Sequence, residues 1–482
     1  MLSMWRYKIF HVSYGIGAMC MGLLIGLGLS SVWMIEDSVP VIILLMLAFT
    51  VVVLCLRVTW ISLLMVCIIS MLIGLIHGSN QKIELQKLES YVGKTIVVRG
   101  NIVEDPQRTA RGDIRIVLSN IVINQNDYQG SLWITATSGE FKRGDALTIQ
   151  DKMAEGFGTF QLSATYVTVL KHVPSNDPLI ALRDNFAASL RKYVVEPAAS
   201  LGIGFVIGQK STLPPELEEQ LRIVGLTHLV VASGYNLTIL IRFAKRIFER
   251  HSKFLVIASS VTLVVTFIAL SGASPSMVRA GLVAGLSILA WSYGRTFHPI
   301  VLILYVAALT AMMNPLYLWA DIGWWLSFLA FFGVLIISPL MLRLIYSGKK
   351  ANPGVQLVSE TFAAQIMTLP IILMIFGALP TLAIVANIIS APLIPFAMLL
   401  TTVAGVSAMV LPTLAPVLTL PAEIILSYIV AIVRTLSSQQ WAMVEVSIGS
   451  TTMSSIYAMY IVIVLYVWNK TKFNFRAQSI ID

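Results

Sequence analysis

Long apolar runs recur along this chain and predict a series of membrane-spanning helices. About 20 apolar residues in a helix cross the ~30 Å hydrocarbon core of a bilayer. Such runs begin near His11 and continue to Trp468. We place about twelve, at 11–34, 39–56, 58–76, 225–241, 254–271, 277–293, 298–313, 322–341, 357–376, 381–411, 413–434 and 453–468. The fold class predicted is a polytopic α-helical membrane protein with about 11–12 transmembrane helices, the lower number applying if 225–241 is re-entrant.

The polar segment from about Asn80 to Val173 has a different period. Its short stretches, such as "KTIVVRGNIV" and "DIRIVLSNIVI", alternate apolar and polar residues and are separated by turn residues. Period-two alternation indicates antiparallel strands, and five or six of them suit a small OB-like barrel. In "FKRGDALTIQ", Gly144 permits the positive φ of a turn that opens a strand. We therefore expect an inserted all-β OB-like domain.

OB-like barrels bind single-stranded nucleic acid when a basic groove lies beside aromatic side chains that stack on bases. The candidate phosphate contacts are Arg99, Arg108, Arg111, Arg115, Lys142 and Arg143, and the candidate stacking residues are Trp133, Phe141, Phe157 and Phe160. The alternative is that the aromatic residues form the barrel core and the arginines a solvated surface. The acidic and basic residues of this segment nearly cancel.

Composition supports the membrane assignment, since 57% of residues are hydrophobic, 12% are charged and the mean hydropathy is +0.83. The net charge of +9 is concentrated in short loops such as "RFAKRIFERHSK" (242–253) and "RLIYSGKK" (343–350). With twelve spans these loops share one side with both termini. Because basic loops stay cytoplasmic, we expect cytoplasmic termini and an extracellular β domain. We expect the first run to remain as an anchor, because another span follows it.

Two short helices are expected between the β domain and the next span. Asp177 caps the first with Pro178 at its first position, and its apolar spacing indicates an amphipathic helix at the membrane surface. The second begins at Pro214 or Pro215. The predicted domains are 1–79 (N-terminal transmembrane helices), 80–175 (extracellular OB-like domain), 176–224 (amphipathic or interfacial helices), 225–470 (transmembrane channel domain) and 471–482 (cytoplasmic tail).

Polar side chains inside the later spans indicate a hydrated path. Polar groups at membrane depth are costly and tend to face a bundle interior or water, and proline and glycine there interrupt helices. The candidates are His228, Ser233, Gly234, Asn236, Ser276, Arg279, Asp321, Ser327, Gln365 and Asn387. The alternative for single Ser, Thr and Asn residues is hydrogen bonding between helices.

Successive motifs over about 180–400 resemble the ComEC competence-channel family of DNA internalisation-related proteins. They include "GLTHLVVASGYN", "SGASPSMVRAGLVAGL", "NPLYLWADIGWWLSFLAFFGVL" and "AAQIMTLPIILMIFGALPTLAIVANIISAPLIP". The resemblance implies a channel that carries single-stranded DNA across the cytoplasmic membrane during natural transformation, with the polar residues above along its path. It also implies an extracellular position for the OB-like domain.

The chain departs from this family's pattern at three places. The motif usually read as Ser-Gly-Leu-His is Ser233-Gly234-Tyr235-Asn236, and the usual Phe-Gln is Trp324-Trp325. The chain ends about fourteen residues after the last predicted span, so we expect no C-terminal metallo-hydrolase domain. Its six scattered histidines do not supply such a domain's metal motif.

We therefore expect no catalytic residues, no metal and no cofactor. The expected partners are single-stranded DNA, membrane lipids, a DNA receptor, a separate nuclease and a cytoplasmic translocase. Two alternatives remain open. One is a membrane hydrolase with Ser233 as nucleophile and His228 as base, although Ser233 lacks the usual nucleophile motif. The other is a small-solute or lipid transporter that reuses the fold.

Overall fold

The computed structural model describes residues 11–33, 59–109, 112–128, 130–156, 161–209, 213–230, 234–272, 275–294, 298–346 and 351–473. The described chain is mainly helical, and two compact units can be distinguished, one of residues 1–175 and 297–325 and the other of residues 176–296 and 326–482. Within the described ranges, eight helices are long and apolar enough to cross a membrane. The predicted polytopic membrane protein is confirmed. The span predicted at 39–56 lies outside the described residues.

The helices are numbered in chain order. They are α1 (Val12–Ser30), α2 (Trp60–Glu89), α3 (Pro178–Arg191), α4 (Ala198–Ile207), α5 (Pro215–Ile223), α6 (Thr227–Val230), α7 (Gly234–Phe248), α8 (Lys253–Ser271), α9 (Pro275–Ser292), α10 (Pro299–Met313), α11 (Leu316–Ala320), α12 (Ile322–Phe332), α13 (Ser338–Tyr346), α14 (Pro353–Phe376), α15 (Ala383–Ser390), α16 (Ile394–Val410), α17 (Ala415–Ser437) and α18 (Ser450–Thr471).

In the first unit, α1 and α2 pack closely through small residues spaced four apart. Gly22 of α1 meets Ser70 of α2, and Gly26 of α1 and Gly74 of α2 each meet the backbone of the other helix. A Cβ added to Gly26 would overlap the carbonyl oxygen of Met71. Spacing of this kind lets two membrane helices approach until their backbones touch.

Helix α2 continues well past the predicted end of its span. The hydropathy pattern ends the span at residue 76, whereas the helix runs to Glu89. Leu85 and Leu88 on its last turns are buried, and Leu88 belongs to the core of the β domain. The helix continues because Leu85 and Leu88 give its polar end an apolar side, and Leu88 packs in the core of the β domain.

The β domain is a nine-stranded sheet within the described residues, mainly antiparallel. Its strands are β1 (Thr95–Ile102), β2 (Gln107–Arg108), β3 (Ile114–Ile123), β4 (Asn126–Tyr128), β5 (Ser131–Ala136), β6 (Ala146–Lys152), β7 (Ala154–Glu155), β8 (Gln161–Thr165) and β9 (Thr168–Val173). The order is β7-β8-β5-β3-β1-β6-β9, with β2 and β4 on β3, and only β5–β8 is parallel. Burial alternates along the strands, which confirms the predicted OB-like all-β domain.

Buried polar contacts fix the ends of this domain. The Asp145 carboxylate is 2% exposed and accepts hydrogen bonds from the Lys142 and Ser175 backbone amides and from Nε2 of His172, at 2.9, 2.8 and 2.7 Å. One carboxylate thus joins the β5–β6 loop to the end of β9. Gly144 in this loop has φ +88°, as its turn requires.

A tyrosine pair joins the end of α2 to the sheet. The hydroxyls of Tyr91 and Tyr128 lie 2.9 Å apart, and the rings meet edge to face. This hydrogen bond raises the pKa of Tyr91 above its ordinary value. The contact fixes the segment after α2 against β4.

The second unit begins with the two predicted short helices. Asp177 caps α3 by accepting a hydrogen bond from the Leu179 amide, with Pro178 at the first position. Helix α3 packs against α16, and an added Cβ on Gly405 would overlap the Phe186 ring. Helix α5 begins at Pro215, as predicted.

Several predicted spans are interrupted. The 225–241 segment contains the short helix α6 and then α7. Between α12 and α13 the chain forms a π-helical turn over Gly333–Ile337, and a 3₁₀ turn over Ala391–Leu393 separates α15 from α16. Pro392 lies in that 3₁₀ turn and lacks the amide that would continue the helical ladder. Strand β10 (Ala378–Pro380) follows α14 and strand β11 (Met443–Glu445) follows α17. The two strands pair in antiparallel fashion and so join the ends of these helices.

Candidate functional site

Three of the polar motifs meet where α7 begins. A Cβ added to Gly234 would lie 3.2 Å from Cβ of Ala280 on α9 and 3.6 Å from the Phe331 ring on α12. A larger side chain would press on Ala280 and touch Phe331. The small residue at Gly234 thus brings α7, α9 and α12 together.

Arg279 lies at this junction, beside Ala280 in the sequence. Its side chain is 1% exposed, and its Cζ lies 5.9 Å from the centroid of the Phe328 ring on α12. An arginine over an aromatic face gains from the ring quadrupole, most strongly where water is excluded. The ring therefore offsets part of the cost of burying the guanidinium.

Asn236 joins this junction to α4. Its side chain is fully buried, and Nδ2 donates to the backbone carbonyl of Phe205, 3.2 Å away. The amide at the position where the resembled family has histidine thus makes a bond between helices. The nearby His228 side chain is exposed, and its Nδ1 bonds the Gly225 carbonyl at 3.0 Å within the same turn. Ser233 lies outside the described residues.

A second group of polar side chains, after the one where α7 begins, lies where α14 meets α13 and α15. Nδ2 of Asn387 on α15 donates to Oγ1 of Thr361 on α14, 3.2 Å away. The Asn387 Oδ1 atom is buried without a hydrogen-bond partner in the described part of the chain. The Ser338 and Ser359 hydroxyls, 2.9 Å apart and both buried, link α13 to α14.

The remaining candidates of the second unit are partly buried. Ser276 lies at the start of α9, Ser327 on α12 and Gln365 on α14. Sequence reasoning missed the aromatic residues Phe328 and Phe331 and the hydroxyl partners of the second polar group. The "LSFLAFF" run signalled the aromatic residues, but its apolar character made them indistinguishable from lipid-facing positions.

Asp321 belongs to the first unit and begins a helix there. Its Oδ1 accepts a hydrogen bond from the Trp324 amide, 3.2 Å away, so it caps α12. The buried Trp324 indole donates to Oγ1 of Thr310 on α10, at 3.1 Å. The tryptophan that departs from the family's usual pattern therefore joins two helices.

On the β domain, two of the candidate residues lie on one outward face. Arg115 of β3 is exposed and pairs with Thr135 of β5. Trp133 of β5 is partly buried and pairs with Val117 of β3. Arg115 and Trp133 are therefore diagonal neighbours across adjacent strands, within reach of each other's long side chains. Arg99 is exposed on β1.

The other β-domain candidates differ in how exposed their side chains are. Lys142 is exposed, whereas Arg143 is buried at 9% exposure. The Phe141 ring packs on the domain core and meets His172 edge to face, with ring centroids 5.4 Å apart. Arg143 and Phe141 thus contribute to packing in this structure. Outside the described side chains lie Arg108, Arg111, Phe157 and Phe160.

Among the described residues, no group of three or more His, Cys, Asp or Glu side chains could hold a metal ion. The two groups of polar side chains described above consist of amides, hydroxyls and Arg279. Such groups donate and accept hydrogen bonds and carry little charge.

Comparisons with known proteins identify the family of the chain. A family model described as "Competence protein" matches residues 205–471, more than half of the chain. ComE operon protein 3 of Bacillus subtilis (strain 168) is 29% identical over 232 residues, which are 45% of this chain and 28% of that relative. The match therefore spans less than a third of the relative's length. No solved structure matches significantly. The polar helices of the second unit lie mainly within the matched residues, and the chain belongs to the competence protein family.

Proposed function

We propose that this protein is a channel that carries single-stranded DNA across the cytoplasmic membrane during natural transformation. The observation that carries the proposal is the competence-family match over 205–471. Those same residues contain the interrupted helices and buried polar side chains of the second unit. Amides, hydroxyls and the buried Arg279 in these helices suit a polar polymer better than an apolar solute.

The proposed path is formed by the two groups of polar side chains, the first where α7 begins and the second where α14 meets α13 and α15. At the first we place Gly234, Asn236, Ser276, Arg279 and Ser327. Gln365 and Asn387 contribute at the second group. His228 and Ser233 lie before α7, and Asp321 lies at the start of α12. Hydrogen-bond donors with sparse positive charge suit a polyanion in transit, because a channel must bind its cargo weakly enough to release it.

The β domain supplies a second contact in this proposal. We place it on the extracellular side and both termini in the cytoplasm, because the basic loops then lie inside. Its outward face, with Arg99, Arg115 and Trp133, is suited to phosphate contact and base stacking. Lys142 lies in the β5–β6 loop and adds a further exposed cation.

The protein itself acts without catalysis in this scheme. DNA reaches it from a receptor, a separate nuclease removes the non-transported strand, and a cytoplasmic translocase draws the other strand in. Membrane lipids surround the helices. No cofactor takes part.

The proposal is tested by uptake of labelled DNA in a strain that lacks the protein. We expect surface-bound label to remain while nuclease-protected cytoplasmic label is lost, and the cytoplasmic label to recover when the gene is restored. Unchanged cytoplasmic entry would contradict the proposal. Altered lipid or peptide processing without an uptake defect would instead favour a hydrolase or a lipid transporter.

A further inference from the structure

A row of arginines covers the end of α7. Arg242 and Arg246 are four residues apart on α7 and share one face. Arg250 lies in the turn that follows the helix, and all three are exposed. Within the described residues none of the three forms an ion pair. Lys253 follows at the first position of α8. The charges therefore face outward and are available to an external anion.

Apolar side chains lie beside this basic row. Phe243 and Ile247 on α7 are 44% and 43% exposed, and Phe254 at the start of α8 is 74% exposed. We call these three apolar residues and the four cations Arg242, Arg246, Arg250 and Lys253 the basic interface. A helix with neighbouring basic and apolar stripes is typical of a membrane surface. A surface that contacts only water or nucleic acid has no need of the apolar stripe.

Neighbouring helices place the basic interface at the edge of the bilayer. Helix α8 is a membrane-spanning helix that starts at Lys253, and only residues 249–252 separate it from α7. The end of α7 thus lies at the level where α8 enters the membrane. Lys245 of α7 lies with its Nζ 5.8 Å from the ring centroid of Trp291, near the end of α9. The exposed Tyr293 follows, and Trp and Tyr are enriched at membrane–water interfaces.

We propose that the basic interface binds the headgroups of anionic phospholipids, with its apolar residues in the acyl-chain boundary. The segment 242–254 carries these four cations but a single carboxylate, Glu249, so the local charge is strongly positive. Each basic side chain near an anionic surface adds to the attraction. Arginine also binds phosphate through two parallel hydrogen bonds. This inference goes beyond the proposed DNA channel and does not depend on it.

The test uses native mass spectrometry of the full chain, purified in detergent and titrated with phosphatidylglycerol or phosphatidylcholine. We expect the wild type to retain phosphatidylglycerol preferentially. The triple variant Arg242→Gln, Arg246→Gln, Arg250→Gln should bind it at least about ten-fold more weakly. The triple Arg→Lys variant should retain most of the binding, because it keeps the charge.

A matched control removes three charges from the β domain, through Lys94→Gln, Lys152→Gln and Lys171→Gln, and should bind phosphatidylglycerol like the wild type. If the glutamine variant does not fold, the lysine variant and the comparison of the two lipids still decide the question. Equal retention of both lipids by the wild type would overturn the proposal. So would a glutamine variant that binds phosphatidylglycerol normally but no longer binds an oligothymidylate that the wild type binds, which would assign the basic interface to nucleic acid.

Discussion

At the scale of single residues, the second unit buries the cation of the proposed DNA path. Arg279 is almost fully buried and lies over the Phe328 ring. The sequence predicted a polar position at the start of a span, but it could not predict the aromatic partner. The partner lies 49 residues away by number (328 − 279), and hydropathy carries no information about which helices adjoin.

Replacing Arg279 separates its charge from its volume. Arg279→Met removes the charge but keeps a long, flexible apolar side chain that fills a similar volume. We expect the variant to accumulate normally while nuclease-protected DNA entry falls about ten-fold or more. Arg279→Lys keeps the charge but loses the planar fork, so it should import at an intermediate level. Wild-type entry by the methionine variant would show that the charge has no role in transport.

In the β domain, the carboxylate of Asp145 stabilises the fold. Asp145 accepts three hydrogen bonds while buried. In Asp145→Asn one oxygen becomes a donor that faces other donors, which costs about 1–3 kcal/mol. We expect a lower midpoint for thermal unfolding of the β domain. Asp127→Asn changes an exposed residue on β4 and should leave the midpoint within error; equal midpoints for both variants would contradict the assigned role.

At the scale of elements, periodicity predicted most helices and strands. The strands of the β domain were predictable because alternate residues such as Leu132 and Ile134 face one core. The continuation of α2 to Glu89 was not, because its last turns are mostly polar and Leu88 packs in the core of the β domain. Helix ends that are stabilised by tertiary contact leave little local signal.

The packing of α1 on α2 gives a matched pair of substitutions on one helix. Gly26→Ala places a methyl group against the Met71 carbonyl, so the helices must separate, at a cost of about 1–3 kcal/mol. Gly28→Ala enters open space, with nothing within 4 Å. We expect less folded protein in the membrane for Gly26→Ala only, measured by detergent extraction and size-exclusion chromatography. Similar losses for both would mean that helix contact is not the cause.

At the scale of the whole molecule, the sequence predicted a multi-pass protein with an inserted β domain, and both features are confirmed. It also selected Asn236 and Arg279, two of the polar residues that the second unit buries. Their pairings, such as Asn236 with Phe205 and Asn387 with Thr361, could not be predicted. A hydropathy profile gives the depth of a residue in the membrane but not its direction around the helix.

Orientation is a further property of the whole molecule. The basic loops predict that a reporter fused near Asn126 lies outside and one fused near Lys245 lies inside. Phosphatase and fluorescent-protein fusions at these positions measure the side directly. Reports from the same side would make the segment 225–241 re-entrant and would reduce the number of spans.

The central claim is that DNA passes the polar groups of the second unit, and cross-linking during uptake tests it most directly. A photoreactive amino acid is placed at Ser327 or Gln365, both partly buried, and at Ile463 on α18, which is 49% exposed and serves as the control. Cells that still import DNA are illuminated while labelled DNA enters. We predict adducts between the protein and single-stranded DNA at Ser327 or Gln365 and none at Ile463. DNA entry without adducts at either polar position, or with equal adducts at Ile463, would contradict a path through these residues.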